Sequence, residues 1–182
     1  MKKAIIIVVV LGALIALYMT TNSSTEVTQN PNSVTEEGSI NPDPSNATFT
    51  FSDGPVTLSG GEATKDVPGS AFLTEETSLT DLRAYGELNG DQKTDTAVIL
   101  TRTGGGSGSF IYVASFLSTS GSYKGSNAVF LGDRIIPQDI SINDSIVTVN
   151  YLDRAEGEPF AAEPTVPSSK QFRVSSGILE EI

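Results

Sequence analysis

Two runs of the sequence constrain the fold most: residues 96–103 (TAVILTRT) and 110–118 (FIYVASFLS), separated by the glycine-rich stretch 104–109 (GGGSGS). Both are apolar on successive rather than alternate positions. A strand with that pattern is buried on both faces, so these two runs belong at the centre of a sheet with material packed on either side. Around them the chain reads as short strands divided by turn signals. Residues 48–51 alternate, Asp53-Gly54-Pro55 turns, and 56–58 return as a first hairpin. Strands at 83–88, 127–131, 139–142 and 146–151 follow, the last two joined by Asn143-Asp144, since both residues tolerate positive φ. Residues 170–174 and 178–181 make a final hairpin around Ser176-Gly177. Residues 62–79 are weakly patterned, and 74–79 read as one helical turn with Thr74 as its cap. The expected architecture is mainly β, an antiparallel sandwich or open barrel-like sheet of about nine short strands with one small helix at most. No repeat of fixed period is visible, which argues against a complete propeller or solenoid.

The N-terminus has a different character. Residues 4–19 (AIIIVVVLGALIALYM) form an apolar run behind Lys2 and Lys3. At a rise of about 1.5 Å per residue it spans roughly 24 Å as a helix, enough for a thin bilayer. A cleaved signal peptide shares the basic start and apolar centre, but it ends in a small-x-small site, and here only Thr21-x-Ser23 comes near one. The expectation is an uncleaved signal anchor over 1–20 that places the membrane contact at 4–19. Lys2 and Lys3 then keep the N-terminus in the cytoplasm and the rest outside, on the bacterial cytoplasmic membrane; cleavage would make the protein secreted. Residues 21–46 are Thr-, Ser-, Asn- and Pro-rich with no aromatic residue, and read as a disordered linker. An extracytoplasmic β-domain is expected over 47–182, large enough to bury one core without disulfides.

Composition removes most familiar chemistry. With no His and no Cys, the chain has no imidazole base, no thiolate nucleophile and no zinc site of the usual ligand set. Its 11 Lys+Arg stand against 22 Asp+Glu, a net charge of −11, which argues against nucleic acid as a partner. Carboxylates alone can hydrolyse a glycoside, but an extended sugar cleft usually needs stacking aromatics, and Trp is absent. No Ser-x-x-Lys occurs for a serine nucleophile, and 104–109 opens no helix and carries no Lys-Ser/Thr for a phosphate loop. The chain is therefore expected not to be an enzyme, a carboxylate-based glycosidase being the catalytic alternative. Gly132-Asp133-Arg134 and the segment 151–158 (YLDRAEGE) each place an Asp beside an Arg, either as loop-fixing ion pairs or as a polar recognition patch. Sequons at Asn22, Asn46 and Asn143 matter only in a host that glycosylates exported proteins.

The most informative segment is 87–95 (ELNGDQKTD). Glu87, Asn89, Asp91 and Asp95 stand at positions one, three, five and nine of a nine-residue loop, with the backbone carbonyl of Lys93 available at position seven. That alternation aims several oxygens at one centre, which suits calcium and its six to eight oxygen ligands. An EF-hand would need flanking helices and a Glu at position twelve, where Val98 stands. The loop resembles the strand-loop-strand calcium loops of FG-GAP and VCBS-type repeats, which implies a calcium set of Glu87, Asn89, Asp91, Lys93 and Asp95. It departs from them at Glu87, a longer arm than the usual Asp, and at Gln92, where Gly serves a positive φ. Beyond the loop, VTLSGG, TRTGGGSGSFIYV, YKGSNAVFLGDRIIPQ and VNYLDRAEGEP resemble an uncharacterised bacterial envelope domain, over most of 49–182. Some proteins with that domain carry, further along, a module of the membrane-bound inhibitors of c-type lysozyme. Topology and charge lead to the expectation of a membrane-tethered, non-catalytic binding or structural domain with an unknown protein or envelope glycan as partner, or alternatively a binder of a basic enzyme such as lysozyme, whose charge an acidic surface complements.

Overall fold

The computed structural model describes residues 41–67, 69 and 73–182. The expected anchor 1–20 and most of the expected linker lie outside them. Among the described residues the protein is mainly β, with twelve strands and no helix, hence none long and apolar enough to cross a membrane. The strands are β1 (Thr48–Phe51), β2 (Gly54–Thr57), β3 (Glu62–Asp66), β4 (Thr74–Gly86), β5 (Asp95–Gly104) and β6 (Ser109–Ser118), then β7 (Tyr123–Gly125), β8 (Val129–Asp133), β9 (Ile136–Asn143), β10 (Ile146–Asp153), β11 (Val166–Ser175) and β12 (Ile178–Glu181). They form a β1–β2 hairpin, a four-stranded sheet in the order β12-β11-β10-β9, and a six-stranded sheet β3-β4-β5-β6-β7 with β8 also on β6; every ladder between these strands is antiparallel.

The two apolar runs become β5 and β6, and both bury two faces. Ala97 and Ile99 of β5, with Ile111, Val113 and Leu117 of β6, point into a core shared with Val147, Val149, Phe172 and Leu179 of the four-stranded sheet. Val98, Leu100 and Ala114 point the other way, beneath Phe49, Phe51, Val56 and Leu58 of the β1–β2 hairpin and its exit. The larger sheet curls, bringing β4 beside β9 and β8 beside β12. Gly86 makes the first approach possible, since a Cβ there would lie 2.7 Å from the Ile142 side chain. Across the second gap Asn127 acts as a stitch, donating from Nδ2 to the Leu179 carbonyl (2.9 Å) and accepting the Leu179 N–H at Oδ1 (2.8 Å).

Three local expectations are corrected. The helical turn at 74–79 is the first half of β4, a strand of 13 residues. Thr74 and Thr77 are β-branched, and pairing to β3 on one side and β5 on the other outweighs a weak local cap signal. Within β4, Thr80, Asp81 and Leu82 bulge out between the pairs Leu79↔Leu100 and Arg83↔Val98, and the Thr80 hydroxyl donates to the Ile99 carbonyl (3.1 Å). The β9–β10 turn sits one residue later than Asn143-Asp144: Asn143 pairs with Ile146, and Asp144 and Ser145 take φ of 51° and 59°. The twelve strands exceed the expected nine or so because β3 and β7 are short and the patterning reads through them, whereas the strand expected at 127–131 is β8, shifted to Val129–Asp133.

Packing begins ahead of Ala47. Pro42 and Pro44 are buried, and the Pro42 carbonyl accepts the Thr96 hydroxyl (2.9 Å). The chain therefore joins the fold beside the start of β5, at the same end as the 87–95 loop.

Candidate functional site

The 87–95 loop connects β4 to β5 and lies against the corner where β6 leads to β7. Each expected ligand residue already has work to do there. Asp95 is fully buried, and its carboxylate accepts the Leu88 N–H at Oδ2 (2.8 Å) and the Ser118 N–H at Oδ1 (2.7 Å). It thus pins the loop's first residues and the end of β6 to the start of β5. Burial raises its pKa above the usual carboxylate value; the two amides oppose this, and the charges of Glu87 and Asp91 add to it. Asp91 is exposed, accepts the Lys93 N–H at Oδ1 (3.0 Å) and takes the Ser118 hydroxyl at Oδ2, the hydroxyl being the main cause that lowers its pKa. Asn89 accepts the Asp91 N–H (3.1 Å) and donates to the Ser118 carbonyl (2.9 Å). Lys93 donates from Nζ to the Thr119 carbonyl (3.3 Å). Glu87 accepts the Asn89 and Gly90 N–H groups at Oε1 (2.8 and 2.7 Å), while its Oε2 is buried with no partner. Gln92 adopts φ 65° and Gly90 φ 84°, so the loop makes the left-handed turn at position six with a side chain in place.

As a metal site this set fits in one respect and not in another. Glu87 Oε2 is a buried acceptor with spare capacity, which is costly for the fold unless something donates to it or coordinates it. Asn89 and Asp91 spend their oxygens on the loop's own N–H groups and on Ser118. Among the described residues no three acidic groups gather in a metal-holding arrangement.

The Asp-Arg segments resolve as loop fixers. Asp133 pairs with Arg134 (3.0 Å), which lowers its pKa, and Asp133 also accepts the Ser109 N–H (3.0 Å). Arg154 donates to the carbonyls of Asp133, Arg134 and Ala162 (3.2, 3.0 and 2.9 Å), tying the 154–165 segment to the turn before β9. Phe160 lies under both guanidinium groups, at 5.1 and 5.9 Å.

A second cluster escapes sequence reading because its members come from β4, β5, β6 and the hairpin turn. Arg102, buried, donates to both Asp53 oxygens (2.8 and 2.9 Å), pairs with Glu75, and lies 4.4 Å over the Phe51 ring. Arg102 holds the Asp53 carboxyl well below the usual carboxylate range. Its Nε is buried without a partner. The one signal in the sequence was a charged residue inside an apolar central strand. Beside this cluster Phe110, Tyr112 and Phe130 form a partly exposed aromatic surface. No protein-family model, no curated protein and no solved structure matches this chain.

Proposed function

We propose that the chain is a non-catalytic, membrane-tethered extracytoplasmic domain that works by binding, with the 87–95 loop as a weak structural calcium site. In this reading residues 1–20 are the anchor, the linker runs to the start of the fold, and the curled sheets make an open barrel-like body. The observation that carries the reading is polarity along the fold: the chain joins at Pro42 beside the acidic loop, and the exposed rings of Phe110 and Phe130 lie toward the other end of β6. A tether at one end and an apolar surface toward the other is the layout of a domain that presents a face to a partner.

For calcium, the supporting observation is Glu87 Oε2, buried and unpartnered beside Asp91 and Asp95. An ion there would neutralise the repulsion among these carboxylates. Asn89 and Asp91 would share their oxygens between an ion and the loop amides they already accept, which places affinity in the weak extracellular range, about 10⁻⁴ to 10⁻³ M. Kinship with FG-GAP and VCBS-type loops and with bacterial envelope domains belongs to the same proposal, and the positive φ of Gln92 supports it.

Because the chain has no cysteine, one introduced thiol tests the topology. A Ser120→Cys variant, exposed between β6 and β7, is treated in intact bacteria with a membrane-impermeant maleimide. The expected result is labelling without lysis, in a membrane fraction that resists alkaline carbonate. Labelling only after lysis, or a freely soluble chain, would overturn the tethered reading.

A further inference from the structure

On the outer face of β6 and β8, Phe110 and Phe130 are 37% and 48% exposed, with Tyr112 half-buried between them and Phe51. Successive rings stand at steep angles: Phe110 to Phe130 at 54° (6.3 Å), Tyr112 to Phe130 at 63° (5.5 Å) and Phe51 to Tyr112 at 80° (5.0 Å). Rings arranged this way offer no flat platform for a sugar ring. They make a ridge of faces and edges with gaps sized for side chains.

The ridge runs into a groove of about 230 Å³ bounded by Asp53, Glu75, Arg102, Phe110 and Tyr112. Its charge is one guanidinium against two carboxylates. Both Nη groups of Arg102 are committed to those carboxylates, and Asp53 is held in its charged form. Lys65 reaches Asp53 at 3.5 Å but does not line this groove. Glu75 meets Arg102 through Oε1, so its carboxylate and two ring systems border the same space. An anion would be repelled here, whereas an ammonium or guanidinium group would gain the Glu75 carboxylate beside the rings of Phe110 and Tyr112. The net charge of −11 adds long-range attraction of the same sign.

We infer that this face docks a partner protein segment that places a Lys or Arg side chain in the groove and an adjacent apolar side chain on the Phe110–Phe130 ridge. The inference names the partner chemistry for the tethered-binding reading and is independent of calcium. It is tested by titrating the isotope-labelled full chain, in a neutral detergent, with acetyl-Phe-Lys-amide and with acetyl-Phe-Glu-amide, following the amides of Thr103, Gly104, Phe110 and Tyr112. The Lys peptide is expected to shift these amides saturably, with at least fivefold weaker binding in Glu75→Gln and in Phe130→Ser, both of which should remain folded, with a cooperative melt and dispersed amides away from the groove. The Glu peptide should leave them unmoved. Equal binding of both peptides, no saturable shift up to about 10 mM, or shifts spread over acidic residues away from the groove and indifferent to Glu75→Gln would each overturn the inference. Failure here would leave the maleimide result untouched, and a cytoplasmic chain would leave the groove untouched.

Discussion

Replacing Asp95 by Asn removes the pin between two corners of the fold while keeping shape and volume. The carboxylate offers two acceptors to two buried N–H groups, those of Leu88 and Ser118. Asn offers one acceptor and turns an NH₂ toward the other amide. A hydrogen bond to a charged group contributes about 1.5–3 kcal/mol, and an amide left buried without a partner costs about 1–3 kcal/mol. Relief of a buried charge beside Glu87 and Asp91 offsets part of that, leaving a loss of about 2–4 kcal/mol. At a urea m-value of about 2 kcal/mol/M the midpoint should fall by roughly 1–2 M with m unchanged. The pH dependence supplies an independent check. Because burial raises the Asp95 pKa in the folded state, its linkage contribution is fully present below the unfolded value and is lost as pH rises through the folded one. The stability difference between wild type and Asp95→Asn should therefore be larger near about pH 3.5 than at about pH 7. Urea titrations of both proteins at the two pH values decide the matter: a deficit under about 0.5 kcal/mol at both would refute the pinning role, and a difference that grows with pH would refute the raised pKa of Asp95.

Other substitutions probe other joints. Asn127→Ala removes both bonds to the Leu179 backbone and should cost about 1–3 kcal/mol, with faster hydrogen exchange at the Leu179 amide than anywhere in β5. Gly125→Ala would place a Cβ 2.2 Å from the Thr48 carbonyl oxygen, a clash with backbone that should cost more than about 4 kcal/mol or prevent folding, as read by the yield of soluble monomer. Arg102→Met leaves Glu75 without its partner and Asp53 with Lys65 alone; since Asp53 is 43% exposed, water takes up part of the loss and about 2 kcal/mol is expected in a denaturant titration. That variant should also flatten the acid limb of the stability curve: Asp53, with its pKa depressed, stabilises the fold above its unfolded value and loses that contribution as pH falls toward the folded one.

The central strands were legible because burial on two faces writes itself as consecutive apolar residues, and 96–103 and 110–118 emerge as β5 and β6. The Ser176-Gly177 turn was legible for a related reason, since its φ values of 50° and 80° require residues that tolerate the left-handed region. What stayed hidden depends on partners distant in sequence. Nothing local in 74–79 says that β3 and β5 will flank it. The acidic loop was visible as a pattern of oxygens, but spacing cannot tell whether those oxygens turn inward to one point or back onto the loop amides and Ser118. The Arg102 groove was invisible, because Asp53, Glu75, Arg102 and Tyr112 meet only once the hairpin folds over the sheet.

That the 87–95 loop takes calcium is tested most directly by a thermal melt of the full chain in EDTA and in about 1 mM Ca²⁺, beside Asp91→Ala under the same two conditions. A dissociation constant near 10⁻⁴ M would add about 1.4 kcal/mol and raise the midpoint by a few degrees in the wild type, with no shift in the variant. Identical midpoints in EDTA and in calcium up to about 10 mM would contradict it, and would leave the corner to Asp95 and to the bonds of Asn89, Asp91 and Lys93 with Ser118 and Thr119.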